Sequence, residues 1–136
     1  HDCGYRDFPD AQIEALIALG LDILDRHPIP ARNVVAHSDI APSRKIDPGE
    51  RFPWAHLAQA GIGFWNDENT DPCDPGDVGS QLQTIGYDIV ETDLESVVSA
   101  FQRRFRPSDF SGQPDTETRE RIAALHRVVA ELAPSA

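Results

Sequence analysis

Apolar residues recur at helical spacing in the opening third of the chain. Ile13, Leu16, Ile17, Leu21 and Leu24 form one stripe, predicting a helix over residues 9 to 26. Pro9 suits its first turn, Asp7 is the expected cap, and Pro28 disfavours helical geometry at His27. Gly20 lies on the stripe and allows close packing against a sheet. The short apolar run Val34-Val35-Ala36 follows and, with Asn33, predicts a buried strand. Residues 37 to 54 lose all periodicity. Pro42, Pro48, Pro53 and Gly49 predict an ordered loop rather than a regular helix. A short helix is expected over Pro53 to Ala60, with Trp54, Leu57 and Ala58 on one side and Gly61 as its stop. One helix and one strand cannot enclose a core, so this half reads as a piece of an α/β domain.

Residues 67 to 79 are acidic, carry prolines and glycines and lack periodicity, the character of a linker. Residues 80 to 136 predict three helices. Leu82 and Ile85 mark the first, stopped by Gly86. Thr92-Asp93-Leu94-Glu95 has a capping pattern and opens the second, striped by Leu94, Val97, Val98, Phe101 and Phe105 and ended by Pro107. Asp115 caps the third, striped by Ile122, Leu125, Val129 and Leu132. Such a bundle is just large enough to sustain a core. The expected domains are residues 1–66, the linker 67–79, and the helical module 80–136.

Composition narrows the partners. With 40% hydrophobic and 26% charged residues the chain is globular. A net charge of −11 argues against nucleic acid, which is bound by neutralising phosphates, and against an anionic membrane surface. No apolar run approaches the ~18 residues of a membrane span. The opening His-Asp-Cys-Gly shows no leader peptide, and the missing Met suggests a processed or cut terminus. Cys3 and Cys73 fit no metal or redox motif; in an exported protein they invite a disulfide, and in the cytosol they are two thiols.

Candidate chemistry concentrates in residues 37 to 54. His37 follows the expected strand, Asp47 returns from the loop, and Lys45 sits just before it. A nitrogen and an oxygen ligand brought together suit zinc, which in catalytic sites takes three protein ligands and a water. Spacing alone also fits a surface His and a turn Asp before Pro. The acidic linker does not match a calcium-binding EF-hand loop.

The whole stretch is more specific than the spacing. His37-Ser38-Asp39-Ile40-Ala41-Pro42, Arg44-Lys45, Asp47-Pro48-Gly49 and Phe52-Pro53-Trp54 resemble the zinc-dependent type 2 N-acetylmuramoyl-L-alanine amidases. The resemblance implies a central sheet flanked by helices, with His37 and Asp47 as metal ligands for Zn2+. It implies Lys45 as the catalytic helper that stabilises an oxyanion. The family's first His ligand and its catalytic Glu precede the helix that starts here at Pro9, and no residue of this chain matches them. An N-terminal segment of the same protein is therefore an expected partner. Arg44 and Trp54 are weak substrate-binding candidates, and packing is the stronger expectation for Trp54 and Trp65. Asp39 is expected to bond backbone groups within the loop.

In the second half, Leu82-Gln83-x-x-Gly86-Tyr87, Ala100-Phe101-Gln102 and Gly112-x-x-Asp115-x-Glu117-Thr118 resemble the helical peptidoglycan-binding module. Gln102, Arg103 and the helix-joining turns are its candidate glycan-facing parts, with no single residue singled out. The expected fold is thus an α/β amidase fragment followed by an all-α three-helix module. The expected activity is hydrolysis of the amide between N-acetylmuramic acid and L-alanine in peptidoglycan or muropeptides. The implied location is the periplasm or cell envelope, with anchoring to the outer membrane through a preceding segment left open. A noncatalytic wall-binding protein is the competing class. The two differ in whether another segment brings a further His to the metal.

Overall fold

The computed structural model describes residues 6–66 and 76–132. Helix α1 spans Asp10–Arg26, and a 3-10 turn covers Ala31–Asn33. Helices α2 (His37–Ile40) and α3 (Trp54–Gln59) are short, and α4 (Val78–Ile85), α5 (Leu94–Phe105) and α6 (Thr116–Leu132) complete the order. Cys3 and Cys73, whose pairing the sequence leaves open, and most of the linker lie outside the described residues.

The sheet-flanked α/β fragment is not what forms. Among the described residues there is no strand, and the chain is helical. The run Val34 to Ala36 shows why. The Val34 N–H closes the 3-10 turn onto Ala31 O at 3.2 Å. The Val34 carbonyl accepts from Arg104 Nη2 at 3.1 Å, and the Ala36 N–H donates to Asp39 Oδ2 at 2.9 Å. With those groups satisfied off-strand, little remains for a ladder. Val35 is 44% exposed, so the run is not a buried strand either. The loop expected over 37 to 54 begins with the single turn α2, whose four residues all precede the first proline of the stretch, Pro42.

Two apolar clusters organise the chain. In the first, Ile13, Leu57 and Ile62 are buried, with Phe8, Ile17, Leu24, Val34 and Phe52 around them. Gly20 packs on Ile62, where an added Cβ would lie 2.7 Å from its Cδ1; it meets a side chain, not a sheet. The α1 stripe is only partly covered, since Leu16 and Leu21 are 36% and 42% exposed. Asp7 does not cap α1, whose N-cap Pro9 has no side-chain cap; Asp7 pairs with Arg51 at 3.0 Å.

The second cluster takes Val78, Leu82, Tyr87, Val97, Phe101, Ile122 and Leu125 from the C-terminal helices. Helix α4 packs on α6, and α2 on α5. Phe64 and Trp65 pack against this cluster from the other half, with Trp65 stacked on Phe105 at 5.8 Å. Asp93 caps α5 by accepting the Ser96 N–H at 2.9 Å. Asp115 receives the Thr118 N–H at 3.0 Å ahead of α6.

Gln102, one of the candidates to face glycan, is fully buried. Its Nε2 donates to Gln113 O at 2.9 Å and Thr118 Oγ1 at 3.0 Å, and its Oε1 accepts the Gly112 N–H at 2.8 Å. The Phe-Gln and Asp-x-x-Thr residues are therefore a clamp between α5 and α6. Gly112 is required in the clamped turn. Its φ is +83°, and a Cβ would meet the Glu95 carbonyl oxygen at 2.8 Å. Replacing Gln102 with Ala strands a buried N–H and carbonyl. Urea denaturation of Gln102→Ala should show a loss of about 2–3 kcal/mol; a loss under about 0.5 kcal/mol would mean the clamp is not structural.

Arg106 ties the same corner from outside. It pairs with Asp115, reaches Glu117 at 3.0 Å, and donates to Thr118 Oγ1 at 3.1 Å. The Arg106 hydrogen bond, helped by those from Thr118, lowers the Asp115 pKa from 3.8 to about 2. A carboxyl whose folded pKa is depressed stabilises the fold above its unfolded pKa and loses that contribution as pH falls through the folded one. Thermal melts of the wild type should therefore fall between pH 4 and 2. Asp115→Asn should flatten that part of the profile; an unchanged acid limb would show that Asp115 does not contribute to it.

Candidate functional site

Helix α2 starts at His37, and the loop returns Asp47 to it. His37 Nδ1 lies 2.7 Å from Asp47 Oδ2, a hydrogen bond in which the ring N–H donates. The Ser38 N–H donates to Asp47 O at 3.1 Å, so backbone and side chain both bring the two residues together. Both side chains reach solvent, at 69% and 41% exposure. An imidazole nitrogen and a carboxylate oxygen side by side are a donor pair that zinc accepts. Among the described residues no group of three or more His, Cys, Asp or Glu side chains is placed to hold a metal.

Between the pair, Ala41 O accepts the N–H groups of both Arg44 at 3.0 Å and Lys45 at 2.9 Å. That tight turn carries Arg44 and Lys45 on its outside, where both are exposed. Trp54 is only 6% exposed. Its ring lies under the Arg104 guanidinium at 3.9 Å and against Phe52 at 4.8 Å, so it packs and does not present a face for sugar stacking.

Asp39 is buried and does bond backbone, through the Ala36 N–H at 2.9 Å. It also receives two side chains from the C-terminal helices. Tyr87 donates its hydroxyl to Asp39 Oδ1 at 2.7 Å, and Arg104 Nη1 donates to Oδ2 at 2.8 Å. Arg104 Nη2 reaches Val34 O at 3.1 Å and Phe64 O at 3.4 Å. Burial, then the Asp39 charge and hydrogen bond, raise the Tyr87 pKa well above its ordinary value and keep the phenol a donor. The reading of the sequence missed Arg104 and Tyr87. A signal was present, because Arg104 follows Val97 and Phe101 on the buried stripe of α5, where a charge requires a partner.

A cavity of about 320 Å³ opens beside this network, lined by Val35, Ile40, Phe105, Leu125, Tyr87 and Arg104 among others. His37, Lys45 and Asp47 do not line it. The candidate chemistry lies on an open surface instead.

The comparisons with known proteins agree on one family. Residues 1–50 match the sequence profile of the N-acetylmuramoyl-L-alanine amidases of the Amidase_2 family. Over this segment the chain is similar to the type 2 amidases. The chain is also 43% identical to the N-acetylmuramoyl-L-alanine amidase AmiD of Escherichia coli over 136 positions, covering 89% of this chain and 49% of AmiD. Its structure superposes on that of E. coli AmiD in complex with anhydro-N-acetylmuramic acid-L-Ala-D-gamma-Glu-L-Lys. The TM-score is 0.77 at 42% identity, over 90% of this chain and 53% of that one. The structure of AmpDh3 from Pseudomonas aeruginosa matches with a TM-score of 0.79 at 35% identity, over 96% of this chain and 56% of that one. Matches this broad cannot be confined to either half of the chain. The chain spans about half the length of AmiD.

Proposed function

We propose that this chain is the C-terminal part of a zinc-dependent N-acetylmuramoyl-L-alanine amidase. It would cleave the amide between muramic acid and L-alanine in peptidoglycan fragments of the cell envelope. The observation that carries the reading is the His37–Asp47 pair, a nitrogen and a carboxylate oxygen 2.7 Å apart on an accessible surface. The substrate class follows from the AmiD and AmpDh3 likenesses, and AmiD has been solved with an anhydromuramoyl tripeptide. The remaining His ligand and the Glu are proposed to come from a preceding segment. Uncovered apolar surface supports that idea: Leu16, Leu19 and Ile23 of α1 are 36%, 56% and 37% exposed, and Val35 is 44% exposed. Helices α4 to α6 are proposed to bind peptidoglycan through a surface other than the buried Gln102.

His37 would offer a neutral imidazole and Asp47 a carboxylate that offsets part of the metal charge. Bound zinc would supply a water of pKa about 7 and polarise the scissile carbonyl. Lys45 is exposed two residues before Asp47. Its compact ammonium suits the oxygen on which negative charge develops, and its flexible stem lets it follow that oxygen.

Ligand and helper separate by experiment. In the complete enzyme, Asp47→Ala should lose both metal, measured by mass spectrometry, and activity. Lys45→Ala should keep its zinc while kcat on a muramoyl-peptide falls roughly 10²–10³-fold. KM should change little, because an interaction made only in the transition state does not hold the substrate. Full activity in Lys45→Ala would make Lys45 a surface charge, and zinc loss equal to that of Asp47→Ala would make it a loop-shaping residue.

A further inference from the structure

We infer that Arg104 and Tyr87, both outside the matched amidase segment, are positioning residues for the His37–Asp47 pair. The inference rests on the pair being the metal donors proposed above. Neither residue touches the pair, and both act through Asp39. Asp39 lies within α2, two residues after His37, and its Oδ2 accepts the Ala36 N–H that immediately precedes His37. The carboxylate thus fixes the turn from which the His37 ring projects. Its own place is fixed by the Tyr87 hydroxyl on Oδ1 and Arg104 Nη1 on Oδ2.

Arg104 grips the functional loop at both ends. At the start it holds Val34 O and Asp39; at the finish its guanidinium lies 3.9 Å from the centre of the Trp54 ring, at the first residue of α3. The segment carrying His37, Lys45 and Asp47 lies between those contacts. A long charged side chain buried to 5% exposure has lost the freedom to relax, so the grip is rigid. Groups hydrogen-bonded to a metal ligand orient it, and removing them typically weakens metal binding about 10- to 100-fold. Tyr87 and Arg104 sit further out, on Asp39, so the lower end of that range applies.

The test uses the complete enzyme with Tyr87→Phe, Arg104→Met and, as a control, Ile122→Ala. Ile122 is fully buried in the second cluster and has no bond to Asp39. Two quantities are read at fixed pH: the ring-nitrogen chemical shifts of His37 in metal-free protein, and zinc affinity by competition with a chelator, corrected with His37→Ala. The inference predicts that Tyr87→Phe moves the His37 shifts and weakens zinc about tenfold. Arg104→Met should do so more strongly if it folds, while Ile122→Ala lowers the melting temperature and moves neither quantity. Tyr87→Phe removes one oxygen and keeps its ring against Phe101, so it decides the matter even if Arg104→Met unfolds. Wild-type shifts and affinity in a folded Tyr87→Phe protein would overturn the inference. So would shifts that move equally in Ile122→Ala. If His37→Ala leaves zinc affinity unchanged, the metal reading fails, and the metal-free shifts alone still decide whether Arg104 and Tyr87 position His37.

Discussion

Arg104 and Asp39 leave water together, and much of the architecture follows from that requirement. Their side chains are 5% and 6% exposed, and their atoms approach to 2.8 Å. Burying either charge alone would be costly, so each constrains the other's position. Asp39 lies in the amidase segment and Arg104 in the C-terminal helices. The ion pair therefore joins the two halves at a fixed register, and Tyr87 completes the carboxylate's bonding. Trp54 covers the guanidinium, whose Nη2 reaches the carbonyls of Val34 and Phe64 while its buried Nε has no hydrogen-bond partner among the described residues. Apolar packing then seals the joint through Trp65 on Phe105.

The joint changes the meaning of the C-terminal helices. Read as a string of amphipathic stripes, they form a separate binding module at the end of a linker. In the structure they also supply groups that hold the loop carrying His37, Lys45 and Asp47. Their motif residue Gln102 clamps α5 to α6 and is buried, so any contact with cell wall must use other side chains. Loop and helices are in that sense a single mechanical unit.

Local signals were legible in the sequence, and long-range ones were not. The Thr92–Glu95 pattern and Asp115 marked helix starts because a cap is a contact over three or four residues, although Asp93 and not Thr92 caps α5. The His37 and Asp47 pairing was legible because the loop residues between them resemble a known family. The strand at Val34 to Ala36 was misread because an apolar run says nothing of where its backbone bonds go. Those bonds go to Ala31, Asp39 and Arg104, the last of them 70 residues away. The Gly20 contact was read as packing on a sheet for the same reason, and its neighbour is Ile62. Arg104 itself stood on a buried stripe, yet nothing in a helical pattern names the partner of a buried charge.

A double-mutant cycle on Arg104 and Asp39 tests this account most directly. Unfolding free energies are measured for the wild type, Arg104→Met, Asp39→Leu and the double variant. Removing one partner strands the other charge, a loss of about 3–5 kcal/mol for each single variant. Removing both strands neither, so the double variant should fall well short of the summed losses, with a coupling of about 2 kcal/mol or more. Additivity within about 0.5 kcal/mol would contradict the account, because it would show that the two charges do not hold each other in place.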